Sequence, residues 1–203
     1  METITGSRGR EIATDIHRRD AETQRRLKDE MKLQIEDSIE VLQRTPSVVR
    51  AMLGGLSEEW TGGGDESNWA PFDIVGHLIH GEVTDWIPRA EIILHQGEDR
   101  TFEPFDRLAQ FELSKGKSLE GLLGDFETKR LESLDTLRSW NLADEQLGLK
   151  GIHPEFGDVS LSELIAAWVA HDLTHIRQIT QFLAKKYADE VGPWREYLSI
   201  LDS

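Results

Sequence analysis

The sequence contains no cysteine. Disulfides and thiolate metal sites are therefore both excluded, and any metal ion would have to be held by nitrogen and oxygen ligands. Long hydrophobic runs are missing too. No stretch approaches the roughly 18 consecutive apolar residues of a membrane helix, and the opening METITGSRGREIATDIHRRD lacks the apolar run of a signal peptide. These absences set the expectation of a cytoplasmic protein that does not enter a membrane. Basic residues are scarce beside acidic ones, 23 against 38, for a net charge of −15. Residues 1–30 carry seven of each sign, so the whole acidic excess lies in residues 31–203. Such a surface repels phosphates, and no basic stripe with interleaved aromatics is visible, which argues against nucleic-acid binding. Strand-like alternation is also absent along the chain. What remains is 38% hydrophobic and 30% charged residues, a balance that suits amphipathic helices with solvated outer faces.

The helical pattern begins near Asp20, with Leu27, Met31, Ile35, Ile39 and Leu42 at steps of three and four. Pro46 kinks or splits this helix ahead of a short continuation through Val48, Val49, Met52 and Leu53, and Gly62 to Asp65 mark a loop. A second helix starts near Trp69-Ala70-Pro71-Phe72-Asp73, where proline suits the first turn and Asp73 complements the helix dipole. It runs to at least Trp86, and Pro88 kinks or ends it. Residues 95–117 read as a long loop pinned by Phe102, Phe105 and Phe111. A third helix follows Ser118, with Leu119, Leu122, Leu123, Phe126, Arg130, Leu134 and Leu137 on one stripe. After a turn region at 141–159, Ser160 and Glu163 form a capping-box signature for the last long helix, which continues to about Tyr187. Trp194 to Leu201 reads as a short packing helix. The expectation is an all-α protein: an up-down four-helix bundle over residues 21–203, with a long loop between its second and third helices and a short C-terminal helix. Residues 1–20 form a flexible or marginally helical extension.

Among the seven histidines, His171 and His175 stand four apart in His-Asp-Leu-Thr-His, about one turn apart on one helix face. They fall on or beside the apolar stripe of Leu164, Trp168, Ile179 and Phe182, so they face the core. Two imidazoles at this spacing reach one metal ion. A zinc site open to water or substrate needs a third ligand from elsewhere. The second helix offers His77 and His80, and periodicity does not choose between them. Glu82 and Asp172 lie within the apolar arcs of their helices. A buried carboxylate needs a partner, so each is a candidate to hydrogen-bond a ligand imidazole, unless both reach solvent. Gln178 and Arg177 are weaker candidates, because ordinary helix-surface roles explain them. Trp69, Trp86 and Trp168 are either core or pocket lining, with core favoured.

The segment Trp69-Ala-Pro-Phe-Asp-Ile-Val-Gly-His77-Leu-Ile-His-Gly-Glu82, followed by His171-Asp-Leu-Thr-His175-Ile-Arg-Gln-Ile, resembles the DinB-like family. Gly151-Ile-His-Pro-Glu-Phe-Gly157 resembles the turn that leads into that family's last helix. The resemblance spans roughly residues 25–190. It implies a four-helix bundle with a three-histidine site for a divalent metal such as zinc or nickel, the ligands matching His77, His171 and His175. His80 is then a neighbour of the site, His153 matches a structural turn position, and His17 and His95 are surface residues. The resemblance also implies a homodimer.

Three functional readings follow. In the first, the protein is an enzyme. Three neutral imidazoles and an open coordination position lower the pKa of a bound water or thiol and polarise a carbonyl. The family resembled includes transferases and isomerases that use low-molecular-weight bacterial thiols such as bacillithiol or mycothiol, and others described only as metal-dependent hydrolases. That implies a thiol S-transferase or hydrolase acting on a small molecule in detoxification or stress, the thiol serving as cosubstrate. The sequence itself supplies no nucleophile, since it has no cysteine and no identifiable Ser-His-acid arrangement. In the second reading the same histidines bind metal without turnover, as a stress or sensing protein. The third is a zincin-type protease with Glu190 as third ligand. It is disfavoured because Asp172 stands where that chemistry needs Glu.

Overall fold

The computed structural model describes residues 33–62 and 64–202. The chain divides into two units, Met1–Gln34 and Ile35–Ser203. The expected extension over residues 1–20, and the first helix's start through Leu27 and Met31, lie outside the described residues. Everything below concerns the second unit.

The first helical segment consists of α1 (Ile35–Leu42) and α2 (Thr45–Leu53). Pro46 explains the break between them. It has no N–H to give the carbonyl of Leu42, four residues earlier, and its ring crowds that carbonyl. A four-residue helix α3 (Glu58–Thr61) follows. The second segment is α4 (Pro71–Thr84) and α5 (Trp86–His95). Asp73 at the start of α4 accepts the Ala70 backbone N–H at 2.9 Å, closing one of the helix's free ends. The chain breaks at Asp85 because Pro88 cannot bond the Thr84 carbonyl, so the interruption falls three residues before the proline itself.

The third long helix, α7 (Leu119–Ser139), is capped by Ser118, whose Oγ accepts the Gly121 N–H at 3.1 Å. The fourth, α9 (Leu161–Lys185), opens on the expected capping box. Ser160 Oγ accepts the Glu163 N–H at 3.2 Å, and Glu163 Oε2 accepts the Ser160 N–H at 2.7 Å. A helical turn α8 (Asp144–Leu147) precedes it.

Among the long helices of the bundle, both α1–α2 and α4 pack against α7 and α9. The first and second segments therefore face one another across the bundle, with the third and fourth between them. Val49, Leu53, Ile74, Val75, Leu78, Leu122, Leu123, Phe126 and Ile179 form the shared core.

One expectation is corrected. The turn region contains a short antiparallel hairpin, β1 (Lys150–His153) and β2 (Gly157–Ser160). Its strands are four residues long, too short for alternation to register. Gly157 turns it with φ +73°, a left-handed conformation that glycine adopts without penalty. The expected short packing helix after Gly192 is 3₁₀ in form, Gly192–Tyr197 and Ser199–Leu201, and the second piece packs on α9 with Leu201 buried. The connection at 95–117 contains a short helix, α6 (Ala109–Leu113). The hairpin holds this connection in place. The Phe102 N–H donates to the Ile152 carbonyl at 2.9 Å, and Phe102 is buried with the Arg89 guanidinium 5.3 Å from its ring centre.

Among the described residues no helix is long and apolar enough to cross a membrane.

Candidate metal centre

One turn of α9 and one position of α4 bring three imidazoles to a point. His171 Nε2 lies 3.0 Å from His77 Nε2 and 3.0 Å from His175 Nε2. A single N–H on His171 satisfies only one of these contacts well, whereas a cation among them uses all three lone pairs. Bonds of about 2.0–2.1 Å, at angles between octahedral and tetrahedral, place ligand nitrogens roughly 2.8–3.4 Å apart. The observed spacing and the all-nitrogen donor set fit such an ion. His77, His171 and His175 are the one group among the described residues whose candidate ligand atoms converge in this way, and His80 is not part of it. That separates the two α4 histidines where periodicity did not.

The surroundings keep these rings ready to donate lone pairs. Burial pushes His77 down to about 2, helped by the charges His175, His171, His80 and Arg107 would exert on it. Burial, then His171, pushes His175 down to about 4 against the opposing effect of Gln178. Both are neutral at pH 7. Gln178, three residues along α9, accepts the His175 Nδ1 proton at 2.7 Å and so leaves Nε2 with its lone pair toward the cluster. In the sequence Gln178 is only a weak candidate for such a role, because an ordinary place on the helix surface explains it equally well. Its position one turn from His175 was the available signal.

Aromatic rings wall the cluster. Trp69 lies 4.8 Å from His77 and stacks at 6.4 Å on His175, and Trp86 meets His171 edge-on at 5.0 Å. Phe111 packs on Trp69, and Phe105 lies edge-on to His77 at 5.4 Å. Trp168 belongs to the core behind, stacked on Trp86 and donating to Glu82 Oε1 at 3.2 Å.

Glu82 and Asp172 are buried, and the partner they share is Arg130. Its Nε and Nη2 donate to Glu82 Oε1 at 3.0 and 2.7 Å, and its Nη1 and Nη2 donate to Asp172 at 2.6 and 3.0 Å. Nη1 also donates to the Leu42 carbonyl at 2.7 Å, the acceptor that Pro46 leaves without a helical donor. All five guanidinium protons are thereby used, and the group joins all four segments of the bundle. Burial raises the Glu82 carboxyl, and the Arg130 charge only partly offsets it. Burial would raise Asp172 as well, but His171, Arg130 and Thr45 hold it below its ordinary value. Asp172 Oδ1 is 4.0 Å from His171 Nδ1, so this carboxylate sits behind the cluster while bonded to Arg130. The signal for Arg130 was a charge on the apolar stripe of α7.

Of the remaining residues, His153 serves the hairpin, its Nδ1 accepting the Glu155 N–H at 3.1 Å and its ring stacking on Phe156. His95 is exposed at the end of α5, Glu190 is exposed beyond α9, and His17 lies outside the described residues. Neither Glu190 nor a free Asp172 is present at the cluster, which removes the features the protease reading needed.

The sequence model described as the DinB superfamily matches residues 41–179. Among solved structures, YfiT from Bacillus subtilis is similar, with 22% identity and a TM-score of 0.65 over 77% of this chain and 91% of that one. It is described as "a probable metal-dependent hydrolase with an unusual four-helix bundle topology". At this identity the likeness establishes the fold. No curated protein is significantly similar.

Proposed function

This chain belongs to the DinB superfamily, and from that premise we propose that His77, His171 and His175 hold one divalent metal ion and that the protein is a metal-dependent hydrolase of a small molecule. The observation that carries this reading is the convergence of three imidazoles inside an aromatic wall, with His171 Nε2 3.0 Å from both His77 Nε2 and His175 Nε2. The description of YfiT supports the reaction class.

A divalent ion there, zinc or nickel, supplies Lewis acidity toward water, a thiol or a carbonyl. The chain's own residues do the rest. Gln178 orients His175, Trp69, Trp86 and Phe105 pack around the imidazoles, and Arg107 adds positive charge felt at His77 and His175. No cysteine is present to act as nucleophile, so the attacking group comes from solution. That same fact favours a second reading, in which a low-molecular-weight thiol is the attacking cosubstrate in a detoxifying S-transfer. A binding protein without turnover is the non-enzymatic alternative.

The test is turnover by metal-loaded protein on ester and amide panels, with and without bacillithiol or mycothiol. Hydrolysis without thiol supports the first reading, and thiol consumption with an electrophile supports the second. Tight metal binding with no turnover on either panel favours the non-enzymatic alternative.

A further inference from the structure

His80 is the imidazole of α4 that the cluster does not use. It is 7% exposed, yet neither ring nitrogen has a hydrogen-bond partner among the described residues. A neutral imidazole carries one donor and one acceptor, and each left unmet in the interior costs about 1–3 kcal/mol. A leucine would fill this position without that cost.

The ring's surroundings place it beside the metal centre. Phe105 packs on His80 at 4.8 Å and on His77 at 5.4 Å, so one aromatic side chain covers both histidines. Asp85 gives neither His80 nitrogen a hydrogen bond and is instead paired with Arg89 at 2.6 Å. The same flank of α4 is polar further along. Gly76, one turn before His80, is met by Ser114 and Gln110 of the α6 region, and their buried side-chain polar atoms also lack partners among the described residues. Unmet polar groups thus stand at two positions one turn apart on α4, Gly76 and His80.

We infer that His80 is a ligand-contacting residue of this site, its ring N–H donating to an anionic group, such as a carboxylate, bound at the three-histidine cluster. The inference rests on the metal reading above. An anion suits the place because the ion itself and Arg107, whose charge reaches His77 and His175, are both positive. A carboxylate has a second oxygen free to accept from His80 while the first faces the ion.

The experiment uses cobalt(II)-loaded full-length protein, with acetate as the probe and the cobalt absorption bands as the readout. Wild type, His80→Leu and His80→Gln are expected to take up one equivalent of cobalt each. Acetate affinity should fall about tenfold or more in His80→Leu, the loss of one hydrogen bond to a charged group. It should stay within about threefold of wild type in His80→Gln, which keeps an N–H donor. Metal-free His80→Leu should melt no lower than wild type, because no bond within the protein is lost. Unchanged acetate affinity in His80→Leu, or an equal loss in both variants, overturns the role of His80 and leaves the metal reading standing. Loss of cobalt in His80→Leu overturns it as well, since the ring would then be a metal ligand. Failure of the wild type to take up cobalt overturns the metal reading and, with it, the inference.

Discussion

Pro46 and Arg130 are coupled through one carbonyl oxygen. The proline withholds the helical donor that Leu42 would otherwise receive, and the Arg130 guanidinium, 1% exposed, supplies a replacement at 2.7 Å. The other four protons of that guanidinium go to Glu82 and Asp172, directly behind the histidine cluster. A helix break in the first segment is thus built into the polar support of the site in the other three.

Arg130→Met should therefore cost about 3–5 kcal/mol, because it strands two buried carboxylates along with the Leu42 carbonyl. Arg130→Lys should recover part of this and not all, since an ammonium has three donors where five are used. Urea denaturation midpoints of the two variants measure the difference. A Met variant as stable as wild type would contradict the central place given to this group.

Gln178→Leu should weaken metal affinity about 10–100-fold with little effect on melting temperature, because it removes the acceptor that fixes the His175 proton on Nδ1. Competition with a chelator of known affinity measures this. An unchanged affinity would show that His175 is oriented by its packing alone.

Gly151→Ala should destabilise the protein by about 1–3 kcal/mol. An added Cβ would stand 2.8 Å from Ile93 Cγ1 and from the Phe102 ring, wedging the hairpin off α5. Thermal melting reads the loss. The same change at Gly148, where the nearest atom is 3.5 Å away, is the control and should be mild.

The metal-free protein should lose stability as pH falls from about 6.5 to 4. His77 is held at about 2 and His175 at about 4 in the folded state, so both stay neutral there while the unfolded chain takes up protons below its ordinary value near 6.5. The unfolded state then binds more protons, and each histidine removes about 1.4 kcal/mol per pH unit over its window. His77→Asn and His175→Asn should each flatten the slope. A slope unchanged in both would mean the rings titrate normally in the folded protein.

How much of this was legible beforehand depended on how local the signal was. The helices were readable because each carries its own stripe and its own ends, as with Ser160 and Glu163 or Ser118. The diagonal placement of the first two segments was not, since which faces meet is decided by packing between distant residues. The hairpin escaped because four-residue strands carry no period, and only Gly157 hinted at a turn. His171 and His175 were readable from helix geometry. The choice between His77 and His80 was not, because both flank the stripe of α4 and only the approach of α9 separates them. Glu82 and Asp172 read as candidates to hydrogen-bond a ligand imidazole or else to reach solvent; both are buried, and the group they bond is Arg130. Their shared partner is hidden in the sequence because Arg130 stands on a stripe whose other members are apolar, and its spacing does not say which carboxylates it meets.

The most direct test of the account is the metal content of purified protein, measured by elemental analysis for wild type, His77→Ala and His171→Ala after loading with zinc or nickel and extensive dialysis. One equivalent is expected in the wild type and near none in either variant, with both variants still helical by circular dichroism. One equivalent retained by folded His77→Ala or His171→Ala would contradict it.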